Sequence, residues 1–134
     1  NTVPGHVYFT LDIRHPDGAI LKELGDRVED VCKRNAGGLP YKVRETYNVP
    51  PIQFDDGVVG RIRACTKVLG LSHRDMISGA LHDAKYMNDI CPAGMIFVPC
   101  EKGISHNEVE AADPKDLAAG TRVLAEAMIA LANQ

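Results

Sequence analysis

Pro50 and Pro51 stand side by side in this 134-residue chain, and no regular element can run through them. Neither offers a backbone N–H to a helix or a sheet ladder, and each pushes the residue before it towards extended geometry. The hydrophobic pattern changes across them. Before them, His6 to Arg14 alternates: Val7, Phe9, Leu11 and Ile13 fall on one face and Tyr8, Thr10, Asp12 and Arg14 on the other, the signature of a half-buried strand. Asp17 can cap a helix over about 18–34, in which Leu21, Leu24, Val28 and Val31 recur at helical spacing, Lys33 and Arg34 complement the carboxyl end, and Gly37-Gly38 stops it. A second alternating run, Tyr41 to Tyr47, ends at Val49-Pro50-Pro51. This half predicts strand, helix, strand.

After the prolines, Asp55 or Asp56 can cap a helix with Val58, Ile62, Cys65 and Leu69 on one stripe and Gly70 as its stop. The Ser78-Gly79-Ala80-Leu81 turn leads into a short helix from His82 to Ile90, followed by a buried apolar strand at Met95 to Val98 and a loop from Glu101 to Asn107. Asp113-Pro114 supplies an N-cap and a first-turn proline for a last helix, with Leu117, Leu124, Met128 and Leu131 as a core-facing stripe. The expected class is α/β, with a boundary between Pro50 and Asp55 that divides the chain into 1–53 and 54–134.

An apolar content of 45% suffices for a core, and a net charge of −3 from 15 basic and 18 acidic residues spread along the chain argues against a nucleic-acid footprint or a membrane-surface patch. No apolar run is long enough to span a bilayer, and the first residues lack the pattern of a signal peptide. Cys32, Cys65, Cys91 and Cys100 form no close pair of the kind a zinc or thioredoxin-like motif needs, and read as reduced thiols of a cytoplasmic protein.

Chemistry-bearing residues are few. His106, in Gly103-Ile104-Ser105-His106-Asn107-Glu108, follows the Met95 to Val98 strand, where a loop can project an imidazole into a crevice as a metal ligand. One histidine is only part of a catalytic zinc site, and on spacing alone the commoner state of such a residue is a surface or hydrogen-bonded histidine. His82 follows a Gly-containing turn that could aim backbone N–H groups and an imidazole at a developing negative charge; an ordinary capping turn is the alternative. Arg14 has the guanidinium suited to gripping a carboxylate, or else a surface ion pair with Asp12 or Asp17. His6, His15 and His73 have no partners at metal-ligand spacing, and no Ser or Cys carries a motif of an activated nucleophile.

Three stretches together say more: Asn1-Thr2-Val3-Pro4-Gly5 leading to Leu11-Asp12-Ile13-Arg14; Ser78-Gly79-Ala80-Leu81-His82-Asp83-Ala84; and Met95-Ile96-Phe97-Val98-Pro99 with Gly103-Ile104-Ser105-His106-Asn107-Glu108. In this order they resemble the hydantoinase/carbamoylase family of amidohydrolases, which includes N-carbamoyl-L-amino acid hydrolases, β-ureidopropionases and allantoate amidohydrolases. The resemblance covers nearly the whole chain. It implies that residues 1–53 end an α+β lid or dimerisation domain, and that 54–134 are the C-terminal part of an α/β catalytic domain of dinuclear metallopeptidase type. It implies two divalent metal ions in the full enzyme, whether zinc, manganese, cobalt or nickel, with His106 as the one ligand present here. It also implies that Asn1 and Arg14 clamp the substrate carboxylate and that His82 stands on the substrate or oxyanion side of the site. Many relatives have Gly where this chain has Leu81, so the resemblance does not by itself imply a backbone contact to substrate at that point.

The function so implied is metal-dependent hydrolysis of an amide or ureido C–N bond in an N-carbamoyl amino acid or related small molecule, by a longer homodimeric chain of which these residues are an inactive C-terminal fragment. An aminoacylase or dipeptidase-type metallohydrolase is the alternative within this chemistry. A non-catalytic dimerisation or binding module is the alternative outside it.

Overall fold

The computed structural model describes residues 2–133, and the chain divides into two compact units, the first ending at Ile52 and the second beginning at Gln53. The first unit is built on α1 (Gly18–Asn35). Asp17 caps it as its chemistry predicts, one carboxylate oxygen accepting the Ala19 N–H at 2.8 Å and the Ile20 N–H at 3.2 Å. The His15 ring in turn accepts the Asp17 N–H through Nδ1 at 3.0 Å. At the other end Gly37 and Gly38 both take positive φ, which releases the chain from the helix. Leu21, Leu24 and Val28 are half-buried on the inner face of α1. A Cβ at Gly18 would stand 3.7 Å from the ring of Pro51, so the double proline runs beside the start of the helix.

The second unit contains α2 (Asp56–Val68), α3 (Ala84–Asn88), a 3-10 turn (Glu101–Gly103) and α4 (Pro114–Ala132). α2 begins where the Asp55 carboxylate accepts the Val58 N–H at 2.8 Å and ends where Gly70, at φ +67, hands its N–H to the Lys67 carbonyl. α4 begins with Pro114 after Asp113, which accepts the Lys115 N–H at 2.8 Å. The two long helices pack on each other, and the deeply buried residues Thr66, Val123 and Ala127 all lie on them. The Thr66 hydroxyl is satisfied by the Ile62 carbonyl at 2.8 Å, so its burial leaves no polar group unpaired. Small residues allow the extended segment 94–98 to come close: a Cβ on Gly94 would lie 2.9 Å from Val58, and one on Gly120 would lie 2.6 Å from Val98. The Asp55 N–H donates to the Ala93 carbonyl at 3.0 Å and the Asn88 amide to the Gln53 carbonyl at 3.0 Å, which ties this segment and α3 to the start of α2.

Two expectations are corrected. The alternating segments 6–14 and 41–47 and the apolar run 95–98 are extended, yet among the described residues none is paired in a sheet, so the helices stand without the β layer of an α/β fold. A strand exists only through its ladder, and alternation specifies a face without supplying the neighbour that covers it. Val7, Phe9 and Leu11 accordingly remain 69%, 73% and 62% exposed. The α4 stripe is corrected as well. Leu117, Leu124 and Met128 do not face a closed core but border an open apolar groove, about 420 Å³ in volume, shared with Val58, Ile62 and segment 94–98; the deeply buried residues of α4 are instead the smaller Val123 and Ala127.

Candidate functional site

His106 is set by a loop that closes on itself. After segment 94–98 the chain turns through Lys102 and Gly103, both at positive φ, and the Glu101 N–H donates to the Ala111 carbonyl at 2.6 Å, bringing the two ends of the loop together. Within it, the Asn107 side chain accepts the Val109 N–H at 3.1 Å and the Asn107 carbonyl accepts the Glu110 N–H at 2.9 Å. His106 takes φ +56, a left-handed conformation that costs a residue with a Cβ about 1–3 kcal/mol unless the surroundings hold it. The hold comes from Glu110, whose Oε2 accepts the His106 N–H at 2.7 Å. The imidazole itself is exposed and makes no hydrogen bond or ion pair among the described residues. A ring nitrogen with no competing partner is open to a metal ion.

His82 is held differently. Its Nε2 lies 2.6 Å from the Ser78 hydroxyl, which also accepts the Ala80 N–H at 3.2 Å. The ring meets Phe97 edge to face at 5.5 Å between centroids. Phe97 belongs to the extended segment whose far end launches the His106 loop, so one piece of chain supports both histidines. The α3 helix begins at Ala84, later than the start at His82 that the sequence predicts; Asp83 makes no side-chain cap and His82 is paired with Ser78.

Arg14 lies in the first unit, where it grips Asp12 through two contacts, Nε to Oδ1 at 3.0 Å and Nη2 to Oδ2 at 2.6 Å. This is the fork geometry of carboxylate recognition, here satisfied internally. The pair holds the Asp12 carboxyl below its ordinary range through hydrogen bonding and raises the guanidinium in the same way. Asn1, expected beside Arg14, lies outside the described residues.

The described residues contain no cluster of three or more His, Cys, Asp or Glu side chains able to enclose a metal. They therefore fit the role of contributing a single imidazole, not of building a complete site. No disulfide joins the four cysteines, and no helix among the described residues is long and apolar enough to cross a membrane. Sequence reasoning passed over Glu110, Ser78 and Phe97 as supports. Four-residue spacing from each histidine was the available signal for Glu110 and Ser78; nothing local marks Phe97.

The sequence profile of peptidase family M20/M25/M40 matches residues 4–130. The chain belongs to that family. Among M20/M25/M40 relatives it is 38% identical to an N-carbamoyl-L-amino-acid amidohydrolase of Rhizobium meliloti over 133 residues, covering 96% of this chain and 32% of that protein. It is likewise 38% identical to an N-carbamoyl-L-amino-acid amidohydrolase of Paenarthrobacter aurescens, covering 98% of this chain and 32% of the relative. The crystal structure of an amidase of the hydantoinase/carbamoylase family from Burkholderia multivorans matches at a TM-score of 0.83 and 41% identity, over 87% of this chain and 29% of that one. The chain thus spans about a third of the length of the curated M20/M25/M40 relatives it matches.

Proposed function

We propose that the protein carrying this chain is a metal-dependent hydrolase of an amide or ureido C–N bond in N-carbamoyl-L-amino acids or related ureido compounds, and that these residues are inactive alone. The observation that carries this reading is the partner-free imidazole of His106 on a backbone fixed at φ +56. The amidohydrolase activity by which the relatives from Rhizobium meliloti and Paenarthrobacter aurescens are named supports it.

His106 supplies one nitrogen ligand to a divalent metal pair of zinc, manganese, cobalt or nickel, whose remaining ligands lie outside this chain. When bound, the metals polarise the scissile carbonyl and promote deprotonation of water near neutral pH. His82 is oriented by Ser78 and packed by Phe97, and offers a ring N–H to the scissile group or the charge developing on its oxygen. Arg14 fixes the substrate carboxylate with Asn1, and Asp12 keeps its guanidinium pre-oriented for that task. Residues 1–53 belong to a lid or dimerisation domain and 54–134 to the catalytic domain, with the protein a cytoplasmic homodimer. The exposed apolar face of Val7, Phe9 and Leu11 supports such pairing, since an uncovered alternating segment is prone to add to another edge.

The test is hydrolysis by the full-length, metal-replete protein of a panel of N-carbamoyl-L-amino acids and allantoate, read as ammonia release, beside N-acetyl amino acids and dipeptides, read as release of the free amino acid. Turnover of the ureido compounds, abolished by a chelator and restored by metal, is the expected result. Turnover confined to the acylated amino acids or dipeptides would move the assignment to an aminoacylase or dipeptidase. Turnover of none would leave a binding module.

A further inference from the structure

We propose that Glu110 is the positioning residue of the metal site, gripping the backbone of His106 so that the Cα–Cβ bond carrying its imidazole is held in one direction. The inference rests on the reading of His106 as a metal ligand and adds a residue to which no role has been assigned.

Both carboxylate oxygens of Glu110 are used. Oε2 accepts the His106 N–H at 2.7 Å, and Oε1 is the acceptor for the Cys100 thiol at 3.8 Å. One side chain therefore joins the residue that opens the loop to the residue at its tip. The Glu110 backbone is itself anchored, its N–H donating to the Asn107 carbonyl at 2.9 Å and its neighbour Ala111 accepting the Glu101 N–H at 2.6 Å. His106 needs such a hold because residues other than glycine seldom adopt φ +56. A charged acceptor makes a short, strong hydrogen bond to a backbone N–H, and with that N–H fixed the direction of the Cα–Cβ bond is fixed too. The imidazole then starts from a fixed Cβ, so that binding metal has only its own side-chain rotations to order. Glu110 acts on the metal through this backbone and not as a ligand, since its oxygens already point at His106 and Cys100.

The experiment uses the full-length protein, stripped of metal by chelation and titrated with Zn²⁺, with His106→Asn, Glu110→Ala and Glu110→Gln beside the wild type. Disturbing residues that orient a metal ligand weakens metal binding by about 10–100-fold, which is the expectation for Glu110→Ala. Glu110→Gln keeps an oxygen that can accept the His106 N–H but loses the charge, so its affinity should recover to within about tenfold of wild type. Unchanged Zn²⁺ affinity in Glu110→Ala would overturn the inference. Equal loss in both Glu110 variants would overturn it too, because that is how a direct ligand behaves. His106→Asn separates the two layers. If it leaves the metal content unaltered, the ligand reading has failed; if it removes metal while Glu110→Ala does not, only the positioning role has failed. A Glu110→Ala protein that does not fold leaves the decision with Glu110→Gln, where affinity below about one-tenth of wild type contradicts the proposal.

Discussion

Replacing Gly120 by alanine sets two effects of opposite sign against each other. Gly120 lies inside α4, where alanine is favoured over glycine by about 0.8–1 kcal/mol, so at an open position the substitution would stabilise. Here the new Cβ would stand 2.6 Å from Cγ1 of Val98, too close for two carbons to coexist. Valine is branched at Cβ and has few rotamers to retreat into, and an overfilled packing site costs about 1–3 kcal/mol. Taking the middle of that range, the clash exceeds the propensity gain, and Gly120→Ala should lower stability by about 1 kcal/mol. Urea unfolding followed by circular dichroism would read this as a lower midpoint at unchanged slope. A second variant isolates the cause: in a Val98→Ala background the obstructing methyl is gone, and Gly120→Ala should then stabilise by about 0.8–1 kcal/mol. If Gly120→Ala raises the midpoint with Val98 intact, α4 does not press on segment 94–98 as described.

Removing the Ser78 hydroxyl takes away the partner 2.6 Å from His82 Nε2; Ser78→Ala in the full-length enzyme should lower kcat by about tenfold, the effect of one lost hydrogen bond, and Ser78→Thr should recover most of it. A Ser78→Ala enzyme with wild-type kcat would remove Ser78 from the site. The Arg63 guanidinium, 2.7 Å from Asp75, holds that carboxyl below its usual 3.8 mainly through hydrogen bonding. Because the folded value is the lower one, what the pair contributes to stability is present above about 3.8 and lost as pH falls through the folded value, and its exposure keeps the contribution small. A carboxyl-carbon NMR titration should show Asp75 moving back towards 3.8 in Arg63→Gln; an unmoved titration would mean that the pair is not formed in solution.

What was legible in the sequence is what local chemistry decides. Asp17, Asp55 and Asp113 cap helices because a short carboxylate can reach N–H groups two or three residues ahead without help from the rest of the molecule. The pairing of Arg14 with Asp12 was one of the two ion pairs the sequence offered, and residues two apart in an extended segment share a face. Elements that depend on distant neighbours were not. The alternation of 6–14 and 41–47 states which side chains want cover, but the described residues supply no strand beside them. The stripe Leu117, Leu124 and Met128 was read as core-facing from its size and spacing, while the deeply buried residues of α4 are the smaller Val123 and Ala127. The site divides in the same way. His82 and His106 announce themselves by residue type, whereas Ser78, Phe97 and Glu110 matter only through turns and contacts that the folded chain creates.

A metal-ligand role for His106 underlies every function proposed for this chain, and metal stoichiometry of the full-length protein measures it directly. Elemental analysis of wild type and His106→Asn, purified in parallel and shown to have the same circular dichroism spectrum, should find divalent metal in the wild type and a loss of at least one ion per chain in the variant. Equal metal content in the two proteins would contradict the assignment of His106 and, with it, the role proposed for this chain.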